Sequence, residues 1–133
     1  MKRKQTLASL KKKAWSLLSE AIRREYAEID LHGTNFCYTC LRRYPWKQMQ
    51  AGHAIPGRHG AVLFDEEIIR PQCYACNCPG RGMHHIFAAR LINEKGLDWY
   101  SQKLQDSHKI VKYSKVDMLA KIEEYKARLQ ALG

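Results

Sequence analysis

The stretch that decides the fold is a pair of short cysteine motifs, Cys37-Tyr38-Thr39-Cys40 and Cys73-Tyr74-Ala75-Cys76-Asn77, separated by residues 41–72. A single Cys-x-x-Cys loop also occurs in redox proteins, but two of them aim four sulfurs at one point and suit tetrahedral zinc. Four thiolates close the coordination shell, so we expect this zinc to be structural and not catalytic. The predicted ligands are Cys37, Cys40, Cys73 and Cys76.

The fifth cysteine, Cys78, is predicted to be a free and partly buried thiol. Five cysteines in a chain of this kind fit a reducing compartment better as metal ligands than as disulfides. No apolar run approaches the roughly 20 residues that span a bilayer, and no apolar secretory segment follows the basic start of the chain. We therefore expect an intracellular protein with no membrane partner.

The net charge of the chain indicates a polyanionic binding partner. Lys and Arg number 23 against 13 acidic residues, a formal net charge of +10 on 133 residues. Such an excess on a small single domain, residues 1–133, predicts a nucleic-acid partner, whereas a protein that merely happens to be basic is the alternative. A core of this size is small, so a metal ion would help to hold it.

Apolar spacing predicts a mainly helical α+β fold in three parts. A basic N-terminal segment, 4–30, carries a helix over 4–29, and its wide apolar stripe serves either a homodimer contact or the chain's own core. Residues 36–95 form the zinc-bound core, and residues 96–133 form C-terminal helices.

Within the core we expect strands near 48–54 and 61–65, then a helix over 83–95 that ends at Gly96. A shorter helix is predicted over 97–105. Ser114 and Asp117 form a capping-box pattern that opens a last helix. The side chains predicted to face inward from it are Val116, Leu119, Ile122, Leu129 and Leu132.

His53 is the candidate general base. If both cysteine pairs bind one zinc, the strand that carries His53 and the residue after Cys76, Asn77, are drawn together. A neutral histidine can take a proton from an attacking water while a hard divalent cation polarises a phosphate. A purely structural histidine remains the alternative.

Four segments together resemble the NinG (Rap) family of lambdoid phage recombination proteins: Cys37–Cys40, Trp46–His53, Leu63–Glu66 and Pro71–Asn77. The resemblance extends to the first and last helices. It implies a zinc-stapled ββα-metal core of the HNH (His-metal finger) type, flanked by N- and C-terminal helices. It also implies a phage-encoded DNA endonuclease that acts in the bacterial cytoplasm on branched recombination intermediates, namely Holliday junctions, displacement loops and flaps.

The arrangement of motifs is also similar to that of phage endonuclease VII. In both comparisons His53 stands where the general base stands, and Asn77 stands where a ligand of the catalytic Mg²⁺ or Mn²⁺ stands. Symmetric cleavage of a junction needs two active sites, so a homodimer is expected.

Some residues depart from the family pattern. Many HNH sites have an acidic metal ligand directly before the catalytic histidine, where this chain has Gly52. Asp65 and Glu66 are the candidates to supply the missing carboxylate, with a solvated acidic turn as the alternative. The family's asparagine near position 68, which orients the catalytic histidine backbone, is replaced by Ile68.

Cationic and aromatic residues around this centre are candidates for DNA contacts. Guanidinium forks match phosphate geometry without reading sequence, and the predicted backbone contacts are Arg58, His59, Arg70 and Arg81. Aromatic rings can stack on opened bases or pack around the cysteines, and the candidates are Tyr38, Tyr44, Trp46 and Tyr74. Two other functions remain open: a non-catalytic zinc module that binds DNA or a recombination partner, and a general HNH nicking endonuclease.

Overall fold

The computed structural model describes residues 5–28, 33–57, 59–78 and 83–133. It confirms an α+β fold that is mostly helical. Arg58 and Arg81 lie outside the described residues. The elements are α1 (Leu7–Glu28), β1 (Thr34–Phe36), β2 (Arg43–Pro45), β3 (Met49–His53), α2 (Gly60–Leu63), β4 (Ile69–Cys73), α3 (Tyr74–Asn77), α4 (His84–Lys95), α5 (Leu97–Asp106) and α6 (Lys115–Leu132).

The two long helices, α1 and α6, pack against each other and form most of the main core. The apolar stripe of α1 recurs at helical spacing, so it presents one face to α6 and to the strands. The buried side chains of this cluster are Leu10, Ala14, Leu18, Ile22, Ala51, Leu63, Phe64, Ile69, Met118, Ile122 and Tyr125. The stripe that suggested a dimer contact is thus occupied by the chain's own core.

Helix α6 begins as the sequence predicts but turns a different face inward. Ser114 caps it with the reciprocal Asp117 bonds of a capping box, which confirms the predicted start. Val116 and Leu119 are 75% and 44% exposed, so their predicted inward position is wrong. The buried residues are Met118, Ile122 and Tyr125. This face has the same helical spacing and includes the large Tyr125 ring, so it buries more area.

The central hairpin joins β3 to β4. The strands are antiparallel, with Met49 opposite Cys73, Ala51 opposite Pro71 and His53 opposite Ile69. The predicted strand near 48–54 is therefore confirmed.

The predicted strand at 61–65 is wrong. The N–H groups of Val62 and Leu63 both donate to the His59 carbonyl, which closes a helical turn, α2. The second strand is instead β4, whose five residues are all buried. Apolar and polar residues alternate along it, yet Arg70 and Gln72 are as buried as their apolar neighbours, because both faces of the strand are covered.

A smaller ribbon, β1 with β2, carries the first cysteine loop. Thr34 pairs with Pro45 and Phe36 with Arg43, so residues 37–42 form the tip. The N–H of Tyr38 donates to the Pro71 carbonyl at 2.9 Å, which ties this ribbon to β4 and brings the two cysteine loops together. Among the described residues, none of the helices is both long enough and apolar enough to cross a membrane.

Candidate active site and four-cysteine cluster

The two Cys-x-x-Cys loops meet. The Sγ atoms of the four cysteines all lie within 4.8 Å of one another, and those of Cys40 and Cys73 are 3.8 Å apart. A tetrahedral zinc ion with Zn–S bonds of about 2.3 Å sets its sulfurs about 3.8 Å apart. The cluster of Cys37, Cys40, Cys73 and Cys76, called the four-cysteine cluster below, therefore fits structural zinc.

The ionisation of the thiols agrees with a cation-binding role. Burial raises the pKa of Cys37, but hydrogen bonds from Thr39 and from backbone N–H groups outweigh it and lower that pKa to about 6. Burial, together with the neighbouring Cys73 and Cys37 sulfurs, raises the pKa of Cys76 to about 12. The pKa of Cys40 is also raised, first by burial. Ionisation of one thiol thus disfavours ionisation of the next, and a bound divalent cation would offset the repulsion between the thiolates.

The first loop turns sharply around Cys37. Its sulfur accepts the N–H of Cys40 at 3.5 Å, and its carbonyl accepts the N–H of Leu41 at 2.9 Å. Leu41 has a φ of +66°, in the left-handed region. A side chain costs about 1 kcal/mol there, so glycine would fit this turn better than leucine.

His53 ends β3, and its ring is held on two sides. Its Nε2–H donates to the carbonyl oxygen of Leu63 at 3.0 Å, and the ring stacks on Trp15 with centroids 4.8 Å apart. A carbonyl oxygen can only accept, so Nε2 carries the proton in the neutral ring and Nδ1 carries the lone pair. Trp15 comes from α1, far away in sequence, and sequence reasoning did not assign it to this site.

The residue after His53 is anchored as well. The N–H of Ala54 donates to the Ile68 carbonyl at 2.8 Å, so a backbone group at position 68 holds this turn although its side chain is apolar. His84, at the start of α4, donates from Nδ1 to the Ala54 carbonyl at 3.2 Å. Both contacts fix the path of the chain directly after His53, the last residue of β3.

Asn77 lies beside Gly52, the neighbour of His53. Its Nδ2 donates to Gln50 Oε1 at 2.7 Å, and its Oδ1 is 3.1 Å from the place a Cβ on Gly52 would take. The cluster thus brings Asn77 to the strand of His53. Side chains of successive residues point to opposite faces of a strand. The His53 ring therefore lies on one face of β3, and Asn77 lies at the other face, beside Gly52.

Gln72 fills the space where an acidic side chain at position 52 would stand. A Cβ on Gly52 would overlap Gln72 Oε1, while Gln72 Nε2 donates to the Thr39 hydroxyl at 3.2 Å. The fully buried Gln72 amide was not assigned from sequence, and only its position one residue before Cys73 could have suggested it. The free thiol of Cys78 is half-buried and donates to Gln50 Oε1 at 3.1 Å.

The protein-family model described as "Bacteriophage Lambda NinG protein" matches residues 1–133, the whole chain. The chain belongs to the NinG family. This confirms the family resemblance seen in the sequence, whereas the HNH type and the likeness to endonuclease VII stay predictions. No curated protein and no solved structure matched the chain.

The acidic residues proposed to complete the NinG site are engaged elsewhere. Lys103 of α5 bonds Asp65 at 3.0 Å, and Arg128 of α6 bonds Glu66 at 2.8 Å. Among the described residues, the four cysteines alone form a group of three or more potential His, Cys, Asp or Glu metal ligands. The structure therefore does not gather Asp65 and Glu66 around His53.

Two predicted DNA contacts are also engaged inside the fold. Arg70 is only 6% exposed; it donates to the Glu67 and Ile69 carbonyls and pairs with Glu94 at 3.4 Å. The guanidinium is therefore used inside the fold, and its role as a phosphate clamp stays a prediction that this burial does not favour. His59 donates from Nε2 to the Ser107 carbonyl at 2.6 Å, which ties the loop before α2 to the end of α5.

The aromatic candidates separate into packed and exposed rings. The Tyr38 hydroxyl donates to Glu94 at 2.6 Å, and this bond lowers the Glu94 pKa. The Trp46 ring lies under the Arg23 and Arg24 guanidinium groups. Tyr44 is half-buried against the four-cysteine cluster, whereas Tyr74 is 61% exposed.

The part of the NinG-family chain around the cluster has few negative charges. Between residues 31 and 93 the sequence has seven Lys and Arg but three acidic residues, Asp65, Glu66 and Glu67. Lys103 also bonds Glu67, at 3.0 Å, so all three carboxylates are paired with cations of the C-terminal helices. The central region can therefore face a polyanion with little repulsion.

Proposed function

We propose that this protein is a DNA endonuclease that depends on a divalent metal ion and cuts branched recombination intermediates: Holliday junctions, displacement loops and flaps. The observation that carries the proposal is the His53 ring, whose Nε2–H is held by the Leu63 carbonyl at 3.0 Å. In the neutral ring this bond places the proton on Nε2 and the lone pair on Nδ1. A general base needs that combination of a fixed ring and a defined lone pair.

In the proposed reaction, a water oxygen attacks a phosphorus of the DNA backbone while His53 Nδ1 takes the proton of that water. The P–O bond to the leaving sugar oxygen breaks, its electron pair goes to that oxygen, and the oxygen takes a proton from solvent to become a hydroxyl. The ring becomes an imidazolium that still donates to Leu63. The stacked face of Trp15 favours this cation by a cation–π interaction.

The four-cysteine cluster, with zinc bound, would be the scaffold of an HNH-type ββα core. It joins the loop after β1 to the end of β4, and α3 with Asn77 follows directly. Four sulfur ligands leave no open position on zinc, so the reaction does not occur there.

A second cation, Mg²⁺ or Mn²⁺, would have an incomplete set of protein ligands near His53. The Asn77 amide oxygen is a suitable hard ligand, but it lies at the opposite face of β3 from the His53 ring. Position 52 has no side chain, and Asp65 and Glu66 are paired with Lys103 and Arg128. When bound with the DNA phosphate, such a cation would polarise the phosphate and stabilise the leaving oxygen.

A junction has two strands to cut, so we also propose a homodimer. Its contact would lie outside the apolar face of α1, which the chain's own core covers. Light scattering of the protein alone and with a four-way junction tests this: two chains per junction are expected, and one chain per junction would contradict it.

The experiment for the activity uses the zinc-loaded protein with four-way junctions, flaps and plain duplex of equal length. Cleavage of the branched substrates in Mg²⁺ or Mn²⁺, none in EDTA after a brief exposure that leaves zinc bound, and weak cutting of duplex are expected. If zinc is bound and the fold intact, yet no substrate is cut, the proposal is wrong.

A second candidate is a non-catalytic zinc module that binds branched DNA. The Gln72 amide favours it, because this group occupies the space of the acidic ligand found in many HNH sites. Tight junction binding without metal-dependent cleavage in the same experiment would select this function.

A further inference from the structure

A cleft lies between α1, β3 and the end of α3. Its volume is about 440 Å³, within the range of about 300–1,000 Å³ that is usual for ligand-binding clefts. One wall is a row of α1 side chains: Trp15, Ser19 and Arg23. The other wall includes Gln50 of β3 and Asn77 of α3. None of the described residues that line the cleft is acidic, so its walls would not repel an anion.

The row on α1 leads from Arg23 to the ring of His53. Its members are four residues apart, so they lie on one face of the helix, over about 12 Å. At one end, the Arg23 guanidinium donates to the carbonyl of Met49, the first residue of β3, at 3.4 Å. At the other end, the Trp15 ring stacks on His53, the last residue of β3. The cleft therefore extends alongside β3 to the candidate base.

Arg23 is a half-buried cation that bonds carbonyl oxygens of the fold. Its Nε donates to the Ser19 carbonyl at 3.1 Å, and its Nη1 donates to the Trp46 and Met49 carbonyls at 3.3 and 3.4 Å. Nη2 takes part in none of these bonds. The carbonyl bonds hold the guanidinium in place without neutralising it.

The charge of Arg23 has no bonded anion within the part of the chain that the structure describes. Glu20, one turn earlier, acts on it only through space and bonds Arg24 at 3.4 Å. Burial lowers the pKa of Arg23 more than the charge of Glu20 raises it. An anion in the cleft would therefore stabilise the guanidinium, and Nη2 is the group left to bind it.

The opposite wall supplies an amide donor of fixed orientation. Gln50 Oε1 accepts from Asn77 Nδ2 at 2.7 Å and from the Cys78 thiol at 3.1 Å. These two bonds hold the amide, and Gln50 Nε2 takes part in neither of them. Ser19, on the α1 wall, adds a hydroxyl. A guanidinium, an amide N–H and a hydroxyl are groups that proteins use to bind the phosphates of DNA.

We propose that this cleft binds a phosphate of the DNA strand that the protein cuts, through Arg23, Gln50 and Ser19, while a separate phosphate of the same strand lies at His53. The roughly 12 Å between the two ends of the row is too long for one phosphate. Because a phosphate contact fixes the register of a strand without reading its bases, the cleft sets which bond of the strand faces His53. The inference rests on the DNA-binding part of the proposed function and is independent of cleavage.

The test measures binding of the zinc-loaded protein to a set of flap substrates, without Mg²⁺ or Mn²⁺ so that cleavage does not interfere. In each substrate, one phosphate near the branch is replaced with a neutral methylphosphonate. At one position this change should weaken binding of wild type roughly tenfold, since a charge-assisted hydrogen bond is lost. Arg23→Gln should bind the unmodified flap roughly tenfold more weakly, and the methylphosphonate at that position should weaken its binding no further.

Two further variants separate phosphate binding from a structural role. Gln50→Glu keeps the oxygen that accepts two hydrogen bonds but puts a negative charge in the cleft, so it should repeat the effect of Arg23→Gln with the fold unchanged. Arg24→Gln removes the neighbouring guanidinium, which is already paired with Glu20, and should bind the flap as wild type does. Zinc content and hydrogen exchange of backbone amides verify the fold of each variant.

The proposal is overturned if Arg23→Gln and Gln50→Glu, each folded and with one zinc per chain, bind the flap as wild type does. It is also overturned if both variants lose affinity but no single methylphosphonate distinguishes them from wild type, because the two side chains would then serve only the fold. A protein that cuts flaps but shows either result would refute the phosphate cleft and leave the proposed activity intact. The expected pattern in a protein that cuts nothing would support the cleft and refute the activity.

Discussion

The helix pair α1 and α6 and the region of residues 33–78 are held together by different means. The helix pair buries large side chains such as Leu18, Met118 and Tyr125, each of which is at most 1% exposed. In residues 33–78, the strands have three to five residues, and four sulfurs meet within 4.8 Å. The first region is stabilised by apolar area, and the second fits a structure stabilised by metal coordination.

This difference has a functional consequence. A region held by a metal ion needs less apolar area, so polar groups can remain near its centre. That region contains His53, Asn77 and the buried Gln72, whereas the helix pair supplies Trp15 and the Arg128 that binds Glu66. Lys103 of α5 binds the other two central carboxylates, Asp65 and Glu67. The helices support the site, and the cysteine region contains it.

Removing one sulfur should give the largest effect. Cys73→Ser takes away a ligand from a site whose zinc affinity in small domains is roughly 10–16 kcal/mol, at least as large as the total stability of a typical domain. We expect loss of zinc and unfolding of residues 33–78, measured by metal content and by hydrogen exchange of backbone amides. Cys78→Ser, the same change outside the cluster, should keep one zinc per chain. Equal zinc loss in both variants would contradict the assignment of ligands.

Leu18→Ala should weaken the helix pair without affecting the metal. Truncating a fully buried leucine costs about 2–5 kcal/mol, which urea unfolding would measure. Val116→Ala, at a residue that is 75% exposed, should stay within about 0.5 kcal/mol. The comparison fails if Leu18→Ala also releases zinc from an otherwise folded protein.

Glu66→Gln separates an ion-pair role from a catalytic one. The change weakens the bond with Arg128 at 2.8 Å, so we expect a loss of about 1 kcal/mol and junction cleavage close to that of wild type. Glu123→Gln, at a side chain that is 76% exposed, is the control for removing one negative charge. If Glu66→Gln folds normally but no longer cuts, Glu66 is a metal ligand and its structural assignment is wrong.

Leu41→Gly should have the smallest effect on stability, and with the opposite sign. Relief of the positive φ offsets the entropy of glycine, so unfolding free energy should stay the same or rise by up to about 1 kcal/mol. Leu104→Gly changes a 40% exposed leucine inside α5 and should lose about 1 kcal/mol. Equal losses in the two variants would show that the left-handed turn does not favour glycine.

The sequence predicts the parts of this fold that depend on local chemistry. The cysteine spacing, the Ser114 capping box and the Gly96 stop each rest on neighbouring residues, and each is present. The error at 61–65 arose because a short apolar run suits a buried helical turn as well as a strand. Which face of α6 points inward depends in the same way on the elements against which the helix packs.

The site shows the same division. His53 and Asn77 stand next to recognisable motifs, so sequence alone could name them. The contacts of His53 with Trp15 and Leu63, and the burial of Arg70, arise from packing between distant segments. The two acidic candidates, Asp65 and Glu66, looked available because their partners, Lys103 and Arg128, lie far along the chain.

The most direct test of the account is single-turnover cleavage of a four-way junction in Mn²⁺ by wild-type protein, His53→Ala and His85→Ala, each with one zinc per chain. His85 is an exposed histidine of α4 and serves as the matched control. The account predicts cleavage by wild type and His85→Ala, and a rate at least about 100-fold lower for His53→Ala with unchanged junction affinity. Equal rates for His53→Ala and wild type would contradict the role of His53 as the base.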